Sequence, residues 1–547
     1  MSRWQVLKPA AAIGRSADSL FLALVLLFGA GLLFCRLDDA YLWQDEAETA
    51  LVAGHLLTFG LPLSSDGITW VQQAGDSFVE FTADYVWTYH SWLQYVVVAA
   101  SFAVLGATTF AARLPFVLAG LATLVMTYRI VVQWLSDTRA ARLATVLLLF
   151  CVPFLLSVRQ CRYYALATLT LLLTLDAYRW MQSPKPWGLP YFVLSATLLY
   201  HSHYGAFFPT MAALGLHWLC SRREAGASRR MRSAAALVAA LVLPWAAFMR
   251  VTSRGQAFRP DRFLAHIGQY AVYTTGWIFP LAMLILLSVA WIRRGTREGL
   301  ALSRSQASFC QLAAVVAIAH FAILSFSAAF DWVFFRYMVH LIPLLLCTLA
   351  IVIVLISERA PVLAFTLVSV IVVSNALGMF PYGLPGIGSV DVAGLWPGSG
   401  GFEAMQDVWI KAGRFRSDLW MYAQELSHSY MGPNEGLVAY LGAKAQPAQT
   451  VAVNYEDLPL MFYSDLRVVG GLGLHDLHAQ SRPDWLIDRK HGPYRDLLAD
   501  IVAEGRYERI ELPYPDIRWE NRPEPGVHHY LTVKDAEPVV LYRRLED

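Results

Sequence analysis

Residues 41–48 read Tyr41-Leu42-Trp43-Gln44-Asp45-Glu46-Ala47-Glu48, with carboxylates crowded just beyond an apolar run. Adjacent carboxylates in a partly water-excluded site repel one another, so one of them keeps a raised proton affinity. A carboxylate beside a membrane is suited to act as general base toward an acceptor hydroxyl. Asp45 and Glu46 are therefore candidate catalytic residues, the alternative being a solvated loop with scattered acids. The pair also leaves room for a divalent metal, although no ligand spacing compels one and no cofactor is required. Arginine's planar fork suits phosphate oxygens, which makes Arg254, Arg259 and Arg336 candidates for binding an anionic group. Arg336 stands out because Tyr337 and an apolar run follow it directly. His90, His203 and Tyr204 complete the candidate binding set. His201-Ser202-His203 breaks an apolar run, and polar groups within a span are costly and often line a cavity. Histidines satisfied by neighbouring helices are the alternative.

The elements that position these residues are mostly apolar. The 547 residues are 56% hydrophobic and only 15% charged, against roughly 25% in soluble domains, and mean hydropathy is +0.44. Much of the surface must face something other than water. The formal charge of +2 gives no reason to expect a nucleic-acid partner. The six cysteines lie in or beside apolar runs, and none occurs in the tail beyond Met379. A helix needs about 20 apolar residues to cross a bilayer. Runs of that kind occur at 19–34, 92–110, 114–135, 143–158, 164–180, 189–219, 234–249, 271–292, 309–329, 338–356 and 361–380. That makes about eleven spans, with the run at 189–219 long enough to be two segments.

Arginine-rich loops orient the chain. With a cytoplasmic N-terminus, 221–232 and 293–297 fall inside, and the tail after Phe380 falls outside. The same count puts Arg159 and Arg162 on the cytoplasmic side, and it leaves Arg139 and Arg142 outside, against the rule. The long first loop at 37–91 is then external. The expected architecture is a polytopic α-helical membrane module, residues 1–380, followed by a soluble α/β domain, 381–547. In that tail, strand-like runs at 450–454, 466–469, 484–487, 507–511 and 539–543 alternate with helical patterns at 405–429, 435–443, 457–464 and 494–504.

An aromatic followed by Asp45-Glu46-Ala47 after the first span resembles the first-loop motif of the GT-C glycosyltransferases, most of all the protein O-mannosyltransferases and the lipid A aminoarabinose transferases. Further segments resemble family segments in the same order. They are Tyr89-His90-Ser91-Trp92-Leu93-Gln94-Tyr95, Ala112-Arg113-Leu114-Pro115, Ser157-Val158-Arg159-Gln160-Cys161-Arg162-Tyr163-Tyr164, and Arg336-Tyr337 with Pro343. The similarity covers about the first 380 residues. His90-Ser91 departs from the family's basic residue followed by Pro-Pro, and the tail does not resemble the eukaryotic sugar-binding repeats.

The resemblance implies a membrane glycosyltransferase that uses a sugar carried on a polyprenyl phosphate. Asp45 would be the base, with Glu46 in an orienting or metal-binding role and His90, His203, Tyr204, Arg254, Arg259, Arg336 and Tyr337 binding substrate. Transfer to a lipid, glycan or protein hydroxyl would occur at the outer face, with inversion. The location would be a cell membrane crossed many times, with the tail extracytoplasmic (periplasmic in a bacterium). Two other classes compete: a transporter or flippase of a lipid-linked sugar, which predicts inverted repeats, and a membrane-anchored binding protein whose function resides in the tail.

Overall fold

The computed structural model describes residues 13–73, 79–183, 186–220, 225–251, 260–278, 280, 302–327, 333–379, 413–534 and 536–545. Arg254, Arg259, the arginine cluster at 293–297 and the linker proposed at 381–401 lie outside the described residues, as does the boundary expected near residue 380.

The chain begins with α1, Ile13–Phe34, an apolar helix. Two shorter helices follow: α2, Gln44–Phe59, closed by Gly60 in the left-handed region, and α3, Leu93–Leu105. Next come α4, Thr109–Leu135, capped by the Thr108 side chain, and α5, Thr138–Leu149, capped by Asp137. α6, Val152–Val158, carries Pro153 in its first turn and is bent 66° from α5, as expected where proline removes a donor. α7, Tyr164–Met181, α8, Gly188–Ser202, and α9, Tyr204–Cys220, complete this part. α10, Ala225–Phe248, and α11, Pro260–Trp277, follow. Helices Arg304–Ser327, Ile342–Ser357 and Pro361–Val373 end the apolar region, with a 3-10 turn at Phe335–Leu341 before the second of them. The run at 189–219 is thus two helices. Among the described residues five helices are individually long and apolar enough to cross a bilayer, or six if the bent α5–α6 pair is one span.

The run at 92–110 is not a span of its own. Its helix α3 has 13 residues, roughly 20 Å against a hydrocarbon core of about 30 Å. Its ends lie on one face of the helix bundle. At the start Ser91 Oγ donates to the Tyr200 carbonyl at 3.0 Å. At the end Phe102 stacks on Phe462 of the C-terminal region, 6.2 Å between centroids. Removing one crossing inverts the faces assigned to the segments that follow. Arg142 pairs with Asp18 near the start of α1 at 2.7 Å, and Arg139 with Glu358 at 3.0 Å. Both therefore lie on the face of the N-terminus, not opposite it. Arg159 emerges on the other face, where Nη2 caps the C-terminal end of α1 through the carbonyls of Cys35, 3.0 Å, and Arg36, 3.1 Å. Arg162 follows it there. The expectation that Arg159 and Arg162 share the cytoplasmic side with the N-terminus is corrected accordingly.

The C-terminal region is an α/β layer. Its sheet has the order β2-β1-β3-β5-β4, with β1 Thr450–Val453, β2 Arg467–Gly470, β3 Trp485–Asp488, β4 Tyr507–Pro515 and β5 Pro538–Arg544. β1 is parallel to β2 and β3, with Val451 opposite Val468 and Trp485; β5 is antiparallel to β3 and β4. Val451, Ala452 and Val453 are all fully buried, as a central parallel strand covered on both faces must be. Leu498 and Ile501 of helix Arg495–Glu504 cover one face.

The carboxyl ends of β1 and β3 point at the membrane module, the end of an open α/β sheet where ligands usually bind. Helix Asp457–Tyr463, directly after β1, makes the seam. Asp457 Oδ1 accepts from Gln44 Nε2 at 2.8 Å, and the Tyr463 hydroxyl accepts from the Leu42 N–H at 3.0 Å. Burial pushes the Asp457 carboxyl up to about 6, against which the Gln44 bond works only in part.

Candidate active site

Asp45 lies in the first turn of α2, where the positive end of the helix dipole favours a carboxylate. Along a helix, positions i, i+3 and i+4 share a face, and position i+1 is turned about 100° away. Asp45, Glu48 and Thr49 therefore look one way and Glu46 another. Glu46 is fully buried and its two oxygens take a two-pronged contact from Arg113, 2.9 and 2.7 Å, plus the Cys161 N–H at 2.6 Å. Arg113 also donates to the carbonyls of Leu37, Ala40 and Tyr41. This pair fastens the entry to α2. The Asp45 and Glu46 carboxylates do not converge.

Arg336 Nη1 donates to Asp45 Oδ2 at 2.7 Å. Its guanidinium sits over the ring of Phe334, 4.4 Å, and beside Tyr337, 5.7 Å. The side chains of Asp45 and Arg336 are 13% and 16% exposed, so the pair is shielded yet reachable. Arg162 flanks it from the turn before α7. Its Nη1 donates to the Asp45 carbonyl at 3.0 Å, to Thr49 Oγ1 at 3.0 Å, and to Glu48 Oε2; its Nη2 lies 3.9 Å from Asp45 Oδ2. Glu48 also accepts from the Tyr95 hydroxyl at 2.5 Å, and Tyr95 from Trp87 Nε1 at 2.7 Å. Burial raises the proton affinity of Glu48, while Arg162 and Tyr95 act against this.

His90 belongs to the same network. Arg162 Nη2 can only donate, so His90 Nε2, 2.7 Å away, is the acceptor, which puts the imidazole proton on Nδ1. His203 stands one layer back, stacked on Tyr163 at 4.3 Å and 6°. It continues a column of rings through His340, 6.2 Å, to His320, a further 4.8 Å. The Tyr204 hydroxyl donates to the Tyr89 carbonyl at 2.8 Å, next to His90. Among the described residues no group of three or more His, Cys, Asp or Glu side chains is placed to hold a metal ion.

The bend at Pro153 and a close helix crossing bring Arg162 here. A Cβ on Gly120 of α4 would come within 2.9 Å of Val158, so a side chain there would push the end of α6 away. Arg162, Glu48 and Tyr95 were not singled out as site residues from sequence. Counting spans from sequence puts the Arg159-Gln160-Cys161-Arg162 segment on the opposite face, and the i, i+3 relation of Asp45 to Glu48 carries meaning only once α2 is known to be a helix.

The C-terminal region supplies the remaining wall. Glu524 Oε1 accepts from the Arg336 N–H at 3.5 Å and lies 3.9 Å from its Nε. Asn521 Nδ2 donates to the Tyr41 carbonyl at 3.3 Å.

No family model and no curated protein matches the sequence. Among solved structures, the crystal structures of ArnT from Cupriavidus metallidurans, one bound to undecaprenyl phosphate and one in the apo state, are each similar over 97% of this chain and 98% of theirs. The TM-score is 0.53 and the identity 14% in both cases. The Archaeoglobus fulgidus oligosaccharyltransferase tethered with an acceptor peptide containing the NVT sequon covers 90% of this chain and 69% of its own, with a TM-score of 0.45 and 11% identity. ArnT is a lipid A aminoarabinose transferase with the GT-C fold. The GT-C fold expected from the sequence motifs is the fold this chain shares with it.

Proposed function

We propose that this protein is a membrane glycosyltransferase that moves a sugar from a polyprenyl-phosphate carrier to an acceptor hydroxyl. The observation that carries the reading is the contact between Asp45 and Arg336, a shielded carboxylate and a guanidinium meeting where the helix bundle faces the C-terminal region. The shared fold with ArnT, crystallised with undecaprenyl phosphate, agrees with it.

Asp45 removes the proton of the acceptor hydroxyl as its oxygen bonds to the anomeric carbon. The bond from that carbon to the phosphate oxygen breaks, and the electron pair leaves with the polyprenyl phosphate. A single displacement of this kind inverts the configuration. Arg336 stabilises the departing phosphate. Its fork has five N–H donors, and only Nη1 is spent on Asp45, so one cation can hold the base and meet the leaving group. Arg162, fixed by Glu48 and His90, keeps a second positive charge near Asp45. Glu46 acts by anchoring α2 through Arg113. Arg254, Arg259, His203, Tyr204 and Tyr337 remain candidates for contacts to the sugar, the phosphate or the acceptor, which is a lipid, a glycan or a protein.

The reaction face is outside the cytoplasm in this reading. Arg139, Arg142 and Arg359 gather at the opposite face with Asp18 and Glu358. Arg230 is there too, with Nη2 on the carbonyl of Met181 at the far end of α7, as the positive-inside rule requires. The test offers membranes holding the full chain a panel of polyprenyl-phosphate sugars and measures release of polyprenyl phosphate. Release in the wild type and none in Asp45→Asn supports the assignment. Absence of release from every donor, together with transport of intact lipid-linked sugar, would replace it with the flippase.

A further inference from the structure

Glu524 bridges two arginines that come from different parts of the molecule. Its Oε2 is 2.5 Å from Nη2 of Arg522, and its Oε1 is 3.9 Å from Nε of Arg336. Arg336 belongs to the helical module; Arg522 lies in the segment between β4 and β5. The Arg522 side chain is 5% exposed, and its buried Nε has no hydrogen-bond partner among the described residues. Three aromatic rings hold its guanidinium in place: Trp519 at 4.4 Å, Phe334 at 4.9 Å and Trp43 at 5.9 Å. Trp43 precedes Asp45 by two residues and Phe334 precedes Arg336 by two, so Arg522 is clamped between the segments that carry the proposed base and the proposed phosphate ligand.

Leaving a buried guanidinium N–H unpaired is costly. Two guanidinium groups flanking one carboxylate form an anion site in which a phosphate, with more acceptor oxygens and more charge, would be held better. We propose that Arg522 is a second ligand for the lipid phosphate, and that Glu524 holds the phosphate's place between the two arginines until the donor displaces it. The C-terminal region then completes the donor site rather than merely covering it. The base stays on the far edge of Arg336, so displacing Glu524 does not disturb the Asp45 contact. This inference rests on the reading above, in which the donor is a polyprenyl phosphate.

The experiment measures binding of undecaprenyl phosphate to the purified full-length protein, with undecaprenol, which lacks the phosphate, as the control. Melting temperature is measured on the same samples. Arg522→Ala should weaken undecaprenyl phosphate binding roughly tenfold or more and leave undecaprenol binding unchanged. Glu524→Gln should tighten phosphate binding, because it removes the competing charge while keeping the shape; a purely structural Arg522–Glu524 pair would give weaker binding and a lower melting temperature instead. Should Arg522→Ala fail to fold, Glu524→Gln and Arg522→Lys still decide, the lysine variant being expected to bind less tightly than wild type. Wild-type affinity in Arg522→Ala, with binding lost in Arg336→Ala, would overturn this inference and leave the glycosyltransferase reading standing. A wild type that does not bind undecaprenyl phosphate would remove both.

Discussion

Arg336 reaches Asp45 at 2.7 Å across a separation of 291 residues. An arginine that holds the base can also feel the charge on the leaving group, so the two ends of the reaction are coupled through one guanidinium. Arg336→Lys keeps the charge and loses the fork; Arg336→Ala loses both. Activity is expected to fall in the order wild type, Lys, Ala, with about 1.5–3 kcal/mol of donor affinity lost in the alanine variant. Donor affinity and thermal stability measured together check this. Unchanged affinity with lowered stability would make Arg336 a structural anchor.

The neighbours Asp45 and Glu46 should fail in different ways. Asp45→Asn is expected to leave the fold intact and slow transfer about 10²–10⁴-fold, the usual contribution of a general base. Glu46→Gln strips a buried charge from Arg113 and should cost roughly 3–5 kcal/mol of stability, while the molecules that remain folded turn over. Turnover per folded molecule, normalised by size-exclusion profile, separates the two. Wild-type turnover in Asp45→Asn would end its role as base.

The seam between Gln44 and Asp457 predicts a dependence on pH. Burial raises the Asp457 carboxyl from its ordinary 3.8 to about 6. A group whose affinity for the proton is higher in the folded state stabilises the fold below its unfolded pKa, and that contribution is lost as pH rises through the folded value. Asp457→Asn mimics the protonated form and can still accept from Gln44. The variant should match wild type at pH below about 3.8 and become the more stable of the two as pH passes 6, by about 3 kcal/mol for a shift of two units. Melting temperatures of both proteins across that window check the sign. A difference independent of pH would show that Asp457 does not titrate there.

Face assignments can be read by labelling. Single cysteines introduced in place of Arg139 and of Asp38 should react with an impermeant reagent from opposite sides of sealed vesicles. Asp38 should be accessible from the side of the C-terminal region. A reporter fused after Asp547 and active only in the cytoplasm should stay silent. Reaction of both cysteines from one side would restore α3 as a crossing.

Local pattern alone determined a good deal of this protein. Depleted charge and apolar runs dictate a helical membrane module, because such segments have no stable place in water. The strand runs of the tail appear as β1 to β5 within a few residues of their expected limits, since alternating and buried strands write their period directly into the chain. Asp45 and Arg336 stand out in the sequence because each lies close to an aromatic residue at the edge of an apolar run. Tertiary structure decided the rest. A 13-residue apolar helix can lie along an interface or contribute to a span, and only its contacts with Tyr200 and Phe462 show which. That one choice moved Arg162 from the far face to the side of Asp45. Likewise Arg522 and Glu524 lie some 190 residues beyond Arg336, and no spacing rule links them. Their meeting depends on how the sheet docks on α2, a matter of shape and buried contacts between segments distant in sequence, which no local period encodes.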